Sequence, residues 1–294
     1  CIRDSNTIDE IQHPAAREVL RFLKHDRGVE IHHDADLPAR SGMGSSSAFT
    51  VGLLHACHAL QGRMVGKHQL ALESIHLEQN VLEEAVGSQD QVHAAYGGLN
   101  HIQFHPDGEI SVRPVTITPQ RAAEFGAHLM LFYTGIKRTA SSVAGTFTRD
   151  MEGHKRQLRI IKDLVDEGVA LLASQGAIRG FGDLLHEAWQ AKRTLSSAVS
   201  NEEVNDLYAR ARAAGAIGGK LTGAGGGGFL LLFVEPDRHE AVRSQLQELI
   251  HVPIKLDSSG SQIVYYAPDQ DYSASEDIRA SQTVKPFREL KLPR

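Results

Sequence analysis

Apolar residues recur at helical spacing in two stretches before position 61. The first stretch predicts a helix over residues 8–24, and the second predicts a helix that begins near Ser45. Leu60 is expected on the buried side of the second helix. Between the two stretches, Val29 and Ile31 alternate with polar residues, which predicts a strand. The pattern therefore indicates a helix, a strand and a second helix.

A further helix is predicted over residues 67–85. With about 100° of rotation per residue, Glu78 lies on the same face as Ile75 and Leu82, whereas Glu83 points the other way. A carboxylate on an apolar face costs free energy unless it is paired or binds a metal. The pattern leaves two interpretations open: a metal ligand, or a glutamate at the edge of the core that reaches water or a basic side chain.

The rest of the chain alternates between strand and helix patterns. Two short strands flank a turn at 105–108, whose Pro, Asp and Gly favour a hairpin. Near Pro119 we expect a boundary between a first domain, 1–119, and a second domain, 120–268, which a polar tail at 269–294 follows. The second domain is predicted to contain a strand at 129–133, helices within 140–214, a strand at 229–234, a helix at 237–249, and strands at 252–256 and 262–266.

Composition and charge narrow the possible functions. The 294 residues include 31 basic and 36 acidic side chains, for a net charge of −5. This balance gives no support to a nucleic-acid or anionic-membrane partner. No apolar run approaches the roughly 18 residues that a membrane span needs. Cys1 and Cys57 have no metal-site spacing, and together these features lead us to expect a cytoplasmic protein.

A glycine and serine cluster precedes the second helix. Gly42 and Gly44 can adopt positive φ and let backbone come close to a ligand. Ser45, Ser46 and Ser47 then place three N–H groups at a helix N-terminus, where the helix dipole also favours an anion. A single serine that caps the helix is the alternative, but a cap needs one serine and not three. The cluster therefore favours a phosphate-binding loop.

A second glycine-rich stretch occupies residues 220–229. Gly223, Gly225 and Gly228 match the spacing GxGxxG literally. A dinucleotide site needs a helix directly after the glycines, and an apolar strand pattern follows here instead. The stretch is therefore predicted to be a loop between strands, at which backbone approaches another group closely.

Two other positions remain open on local pattern alone. Asp90 begins a short helix that runs to Tyr96, and it could do no more than cap that helix. Arg138 lies in a loop after the strand at 129–133. It could meet a phosphate, or it could be ordinary exposed surface.

Four motifs together resemble the GHMP small-molecule kinases, and among these the bacterial D-glycero-D-manno-heptose 7-phosphate kinases most of all. The motifs are Pro-x-x-x-Gly-Met-Gly-Ser-Ser-Ser-Ala (38–48), Gly-Ser-Gln-Asp-Gln (87–91), Tyr-Gly-Gly-Leu-Asn (96–100) and Leu-Thr-Gly-Ala-Gly-Gly-Gly-Gly-Phe (221–229). The resemblance extends from about Ile8 to about Ala267. It implies a two-domain α+β fold with a ribosomal-S5-like N-terminal domain, a ferredoxin-like C-terminal domain and an active site in the cleft between them.

The resemblance also implies ATP and Mg²⁺ as cofactors and a role for each site residue. Asp90 would act as the catalytic base, Ser46 and Glu78 would hold Mg²⁺, and Arg138 would line the substrate cleft. The nucleotide phosphates would be cradled by Gly42, Met43, Gly44, Ser45, Ser46 and Ser47. The cleft wall would be formed by Gly223, Gly225 and Gly226.

The implied reaction transfers phosphate from ATP to the anomeric hydroxyl of D-glycero-D-manno-heptose 7-phosphate. Another sugar, such as galactose, fucose or an N-acetylhexosamine, and a non-catalytic sugar or nucleotide sensor are the alternatives. The implied partners are ATP and a sugar or sugar phosphate, in a monomer or homodimer. Family members begin with a strand and a glycine-rich loop that nothing in this sequence matches, so we expect the first strands of the first domain to be lacking.

Overall fold

The computed structural model describes residues 5–37, 42–136, 153–223, 225–267 and 273–282. Within these ranges the chain is a mixed α and β structure. Its helices are α1 Pro14–Phe22, α2 Ser45–Leu60, α3 Lys67–His76, α4 Gln89–Tyr96, α5 Pro119–Ala127, α6 Lys155–Ala173, α7 Arg179–Arg193, α8 Glu202–Ala213, α9 His239–Gln245 and α10 Ser273–Ala280. Its strands are β1 Asn100–Phe104, β2 Ile110–Pro114, β3 Leu129–Tyr133, β4 Ala216–Leu221, β5 Phe229–Val234 and β6 Ile250–Val252.

The first half of the chain packs helices around α2. Val51 and Leu54 are fully buried, and they share one apolar core with residues of α1, α3 and α4. The hairpin of β1 and β2 pairs antiparallel and packs against the edge of this core. Because α2 lies at the centre, its N-terminus is held rigidly relative to α3 and α4.

The second half contains a four-stranded antiparallel sheet with the order β4-β5-β3-β6. The central strands β5 and β3 are almost entirely apolar, as strands buried on both faces should be. Helix α7 packs so closely on β4 that an added Cβ at Gly218 would lie 1.8 Å from the carbonyl oxygen of Gly182. Only glycine fits there, and this contact fixes α7 against the sheet.

Some predicted elements are wrong or shorter than expected. The alternation at Val29 and Ile31 does not form a strand, because this segment pairs with no strand in the described ranges and both side chains are about one-third exposed. Leu60 is 61% exposed rather than buried, since it occupies the last position of α2. The helix expected over 8–24 is divided into a short 3₁₀ turn and α1.

The strand predicted at 252–256 lies earlier, as β6 at Ile250–Val252, and the strand predicted at 262–266 is wrong, because no strand follows β6 in the described chain. The segment instead returns to the first half of the molecule. The backbone N–H of Ser261 donates to the carbonyl oxygen of Ala94 in α4 at 2.9 Å. Lys67 donates to the carbonyl oxygens of Tyr96 and Ser259, which ties the segment to α4. The structure confirms the predicted hairpin, which is β1 and β2, and the predicted strands β3 and β5. It also confirms a loop between β4 and β5 at the second glycine-rich stretch.

Candidate active site

The glycine and serine loop ends in an open helix N-terminus. Gly42 and Gly44 have φ values of +79° and +69°, in the left-handed region that favours glycine. Gly44 is the N-cap of α2 and offers no side chain to cap the helix. The first N–H groups of α2 have no partner within the helix, so they and the helix dipole can receive an anion. The geometry matches the predicted phosphate loop.

Asp90 lies directly against this loop. A Cβ built on Gly44 would sit 3.2 Å from both Cβ and Cγ of Asp90 and 3.3 Å from its Oδ2. Asp90 stands in the first turn of α4, where the positive end of the helix favours a carboxylate. Glycine at 44 therefore serves two purposes: it permits the left-handed turn, and it leaves space for the carboxylate beside the loop.

Glu78 is buried beneath the start of α2, with 1% of its surface exposed. Its Oε2 accepts hydrogen bonds from the hydroxyl of Ser47 at 2.8 Å and from the side-chain amide of Gln91 at 2.5 Å. Burial raises the pKa of Glu78, and the hydrogen bonds from Ser47 and Gln91 offset part of that rise. Since Ser47 is in the phosphate loop and Gln91 is adjacent to Asp90, these contacts join the three predicted elements of the site.

Glu78 belongs to a π-helical turn, Leu77–Val81, that continues α3. The helix predicted to reach residue 85 ends here, and Glu83 takes a positive φ of 52° shortly afterwards. Single π turns inside helices are frequent at functional sites. The predicted inward direction of Glu78 is confirmed by its burial, although the end of the helix is not where the pattern placed it.

The other carboxylate oxygen of Glu78, Oε1, is buried without a hydrogen-bond partner among the described residues. A buried carboxylate oxygen with no donor is costly, and a cation would remove that cost. In the described ranges no three His, Cys, Asp or Glu side chains gather into a metal-binding group. Mg²⁺ commonly takes one or two carboxylates together with substrate phosphates and water. One carboxylate beside a phosphate loop therefore fits Mg²⁺.

Among the described residues, no hydrogen bond joins the two predicted metal-binding side chains, Ser46 and Glu78. Ser46 is exposed, and its carbonyl oxygen accepts a bond from Thr50 at 3.1 Å. Ser47, rather than Ser46, contacts Glu78. A metal-binding role for Ser46 therefore stays a prediction, whereas Ser47 positions Glu78.

The glycine-rich loop between β4 and β5 touches the phosphate loop. A Cβ added to Gly223 would lie 2.9 Å from the carbonyl oxygen of Gly42, and the hydroxyl of Thr222 donates to the same oxygen at 3.3 Å. Gly225 and Gly226 approach Val199 instead, where the N–H of Gly226 donates to its carbonyl oxygen at 2.8 Å. The close backbone approach predicted for this loop is thus made to other parts of the chain.

Two predicted residues remain, of which the structure describes one. Met43 is exposed beside Gly42 and Gly44. Arg138 lies outside the described residues. Two residues of the site had no assigned role in the sequence: Gln91, which stands next to Asp90 within a recognised motif, and Lys192, which donates to Gly223.

Two family models match this chain. The model described as "GHMP kinases N terminal domain" matches residues 10–98, and the model "GHMP kinases C terminal" matches residues 169–251. The first match contains the phosphate loop, Glu78 and Asp90. The second contains the glycine-rich loop. In the described ranges, no helix combines the length and apolarity needed to cross a membrane.

Individual relatives agree with the family models. The chain is 30% identical over 226 residues to a D-glycero-alpha-D-manno-heptose 7-phosphate kinase of Campylobacter jejuni. The aligned region covers 76% of this chain and 66% of that relative. The chain is also 33% identical over 239 residues to a mevalonate kinase of Methanothermobacter thermautotrophicus. This aligned region covers 75% of this chain and 73% of that relative.

A solved structure has the same fold. A D-glycero-D-manno-heptose 1-phosphate kinase from Bacteroides thetaiotaomicron superimposes with a TM-score of 0.66 at 23% identity, covering 87% of this chain and 76% of the other. Both halves of the chain, the order of its motifs and its relatives therefore lead to one conclusion. The chain belongs to the GHMP kinases, a family of ATP-dependent phosphotransferases that act on alcohol groups.

Proposed function

We propose that this chain transfers the γ-phosphoryl group of ATP to a hydroxyl of a phosphorylated sugar. The observation that carries the proposal is the contact of Asp90 with Gly44 at the phosphate loop. It puts a carboxylate within reach of an acceptor that meets the terminal phosphate of a nucleotide bound at α2. The heptose kinase relative supports a sugar phosphate as the acceptor.

Three groups of the chain would contribute to the phosphoryl transfer. The N–H groups at the start of α2 would bind the nucleotide phosphates, because phosphate oxygens replace the helix partners that these groups lack. Asp90 would orient the acceptor hydroxyl and take its proton as the new oxygen–phosphorus bond forms. ADP leaves with the electron pair of the broken bond, and Asp90 then returns its proton to solvent.

Glu78 and Ser46 are the residues that would hold Mg²⁺. When bound, the ion neutralises charge on the phosphate oxygens. Ser47 and Gln91 keep the carboxylate of Glu78 in place through their hydrogen bonds to Oε2. Oε1 is left free to meet the cation.

For the acceptor we propose D-glycero-D-manno-heptose 7-phosphate, phosphorylated at its anomeric hydroxyl, with the protein acting in the cytoplasm. The 30% identity to the heptose kinase and the motifs at 87–91 and 96–100 support this acceptor. Mevalonate is the second candidate, because the mevalonate kinase relative is 33% identical.

The proposal is tested by ³¹P NMR of the purified chain with ATP, MgCl₂ and one acceptor at a time. The panel contains the heptose 7-phosphate, unphosphorylated heptose, galactose, fucose and mevalonate, with Asp90→Asn as the control protein. We expect a new anomeric phosphate resonance with the heptose 7-phosphate, which grows about a hundredfold more slowly with the control. If mevalonate is the only acceptor that is phosphorylated, mevalonate takes the place of the heptose 7-phosphate as the proposed acceptor. Nucleotide binding without turnover of any acceptor would favour a non-catalytic sensor and overturn the proposal.

A further inference from the structure

Two lysines of the second half converge behind the glycine-rich loop. Lys220 is in β4, one residue before the strand ends at Leu221. Alternate residues of a strand point to the same face, so Lys220 shares the face of Gly218, which α7 covers. Lys192 comes from the last turn of α7. The side chain of Lys220 therefore enters the layer between sheet and helix, at the end where Lys192 stands.

Lys192 is directly tied to the loop. Its ammonium donates to the carbonyl oxygen of Gly223 at 2.6 Å. Gly223 in turn contacts Gly42 of the phosphate loop. A single chain of contacts thus joins this lysine to the proposed nucleotide site.

The charges of the two lysines are not balanced by the residues that the structure describes. No carboxylate in the described ranges forms an ion pair with either lysine, and the ammonium group of Lys220 makes no hydrogen bond there. Burial, and then the neighbouring Lys220, lower the pKa of Lys192 to about 8. Burial also lowers the pKa of Lys220. Two half-buried ammonium groups without a counter-ion are costly, and an anionic ligand would remove that cost.

We propose that Lys192 and Lys220 form an anion subsite that binds the phosphate monoester of the acceptor, at the opposite end from the hydroxyl that reacts. This inference rests on the proposed kinase function and names the residues that would select a phosphorylated acceptor. Lysine binds phosphate as a compact point charge, and two of them suit a doubly charged monoester.

The position of the subsite favours the acceptor over the nucleotide. The N–H groups at the start of α2 are the proposed partners of the nucleotide phosphates, so the lysines are left for the acceptor. Gly42 and Gly44 are two residues apart, so at most about 7 Å of backbone separates them. Asp90 contacts Gly44. On this proposal, an acceptor held by its phosphate at the lysines extends past Gly223 and Gly42 toward Asp90.

The test is calorimetric binding of D-glycero-D-manno-heptose 7-phosphate and of the unphosphorylated heptose, each with ADP and MgCl₂ present. We expect Lys220→Met to weaken binding of the phosphorylated sugar about tenfold or more, the scale of a lost bond to a charged group, and to leave the unphosphorylated sugar unchanged. Lys220→Arg should restore most of the binding, because it keeps the charge. Lys162→Met, which changes an exposed lysine of α6, is the matched control.

Each other outcome overturns the subsite. Equal losses for both sugars would show that Lys220 supports the fold and does not bind phosphate. Unchanged binding of the phosphorylated sugar in Lys220→Met, or an equal loss in Lys162→Met, would show that the two lysines do not recognise the phosphate. If Lys220→Met does not fold, Lys192→Met is measured in its place with the same expectation. Because binding is measured directly, selectivity for the phosphorylated sugar can hold even where ³¹P NMR shows no turnover, so failure of the subsite and failure of the kinase proposal are distinguishable.

Discussion

The contact between Gly44 and Asp90 gives a prediction that separates backbone strain from a catalytic effect. Gly44→Ala places a methyl group at a φ of +69°, 3.2 Å from Cβ and Cγ of Asp90. Gly62→Ala, just beyond the end of α2 and outside the proposed site, places the same group at a φ of +68°, where no atom of the described residues lies within 4 Å. Both changes carry the left-handed penalty, but only the first presses on Asp90.

The magnitudes follow from these two geometries. A non-glycine residue in the left-handed region costs about 1–2 kcal/mol, so both variants should lose about that much free energy of unfolding. In Gly44→Ala, Asp90 must also move by a few tenths of an ångström to relieve the close contact. Since a misplacement of about 1 Å can cost about a hundredfold in rate, we expect kcat to fall about tenfold.

The assay is kcat at saturating ATP and acceptor, together with urea unfolding of each variant. Gly62→Ala should lose stability to the same extent as Gly44→Ala and keep kcat within about threefold, a change of under 1 kcal/mol in the barrier. Equal losses of kcat in the two variants would refute the reasoning, because the contact with Asp90 would then have no separate effect. Unchanged kcat in Gly44→Ala would refute it as well.

The further predictions concern the side chains of the site. Asp90→Asn should fold and bind ATP normally but lose about a hundredfold in turnover, the scale of a lost general base, and wild-type rates would end the assignment. Glu78→Gln should raise the Mg²⁺ concentration needed for half-maximal rate. Burial raises the pKa of Glu78, so the folded state holds the proton of this carboxyl more tightly than the unfolded state does. Ionisation of Glu78 therefore lowers the free energy of unfolding as the pH rises from the unfolded pKa of about 4.3 through the higher folded pKa. Metal-free Glu78→Gln should therefore be at least as stable as wild type at pH 8 by urea unfolding, and a less stable variant would contradict this. Ser47→Ala should lose about 1–3 kcal/mol of stability because the buried Oε2 of Glu78 loses one of its two donors, whereas the exposed Ser46→Ala should change only the Mg²⁺ titration. The reverse pattern would exchange the roles of the two serines.

The local chemistry of the site was readable from the sequence because it depends on neighbouring residues. Two glycines before three serines predict an open helix N-terminus, and helical rotation predicts that Glu78 faces the core. Both hold in the structure. The rotation argument survives the π turn because Glu78 is only its second residue, and little angular error accumulates before it.

Other features depend on distant partners and were not readable. The alternation at Val29 and Ile31 has the pattern of a strand, but a strand also needs a neighbour to pair with, and the pattern does not supply one. The bond from Lys192 to Gly223 joins residues 31 positions apart. Only the packing of α7 on β4 brings them together, and no local motif encodes that packing.

The central claim is that the phosphate loop, Glu78 and Asp90 meet at one metal-bound triphosphate. The most direct test is a crystal structure with Mn²⁺ in place of Mg²⁺ and a non-hydrolysable ATP analogue, with the metal located by its anomalous signal. We predict Mn²⁺ at about 2 Å from Oε1 of Glu78, the distance expected for Mg²⁺, and the analogue's phosphates on the N–H groups of residues 42–47. A metal beyond coordination distance of Glu78, or phosphates bound away from the start of α2, would contradict the account.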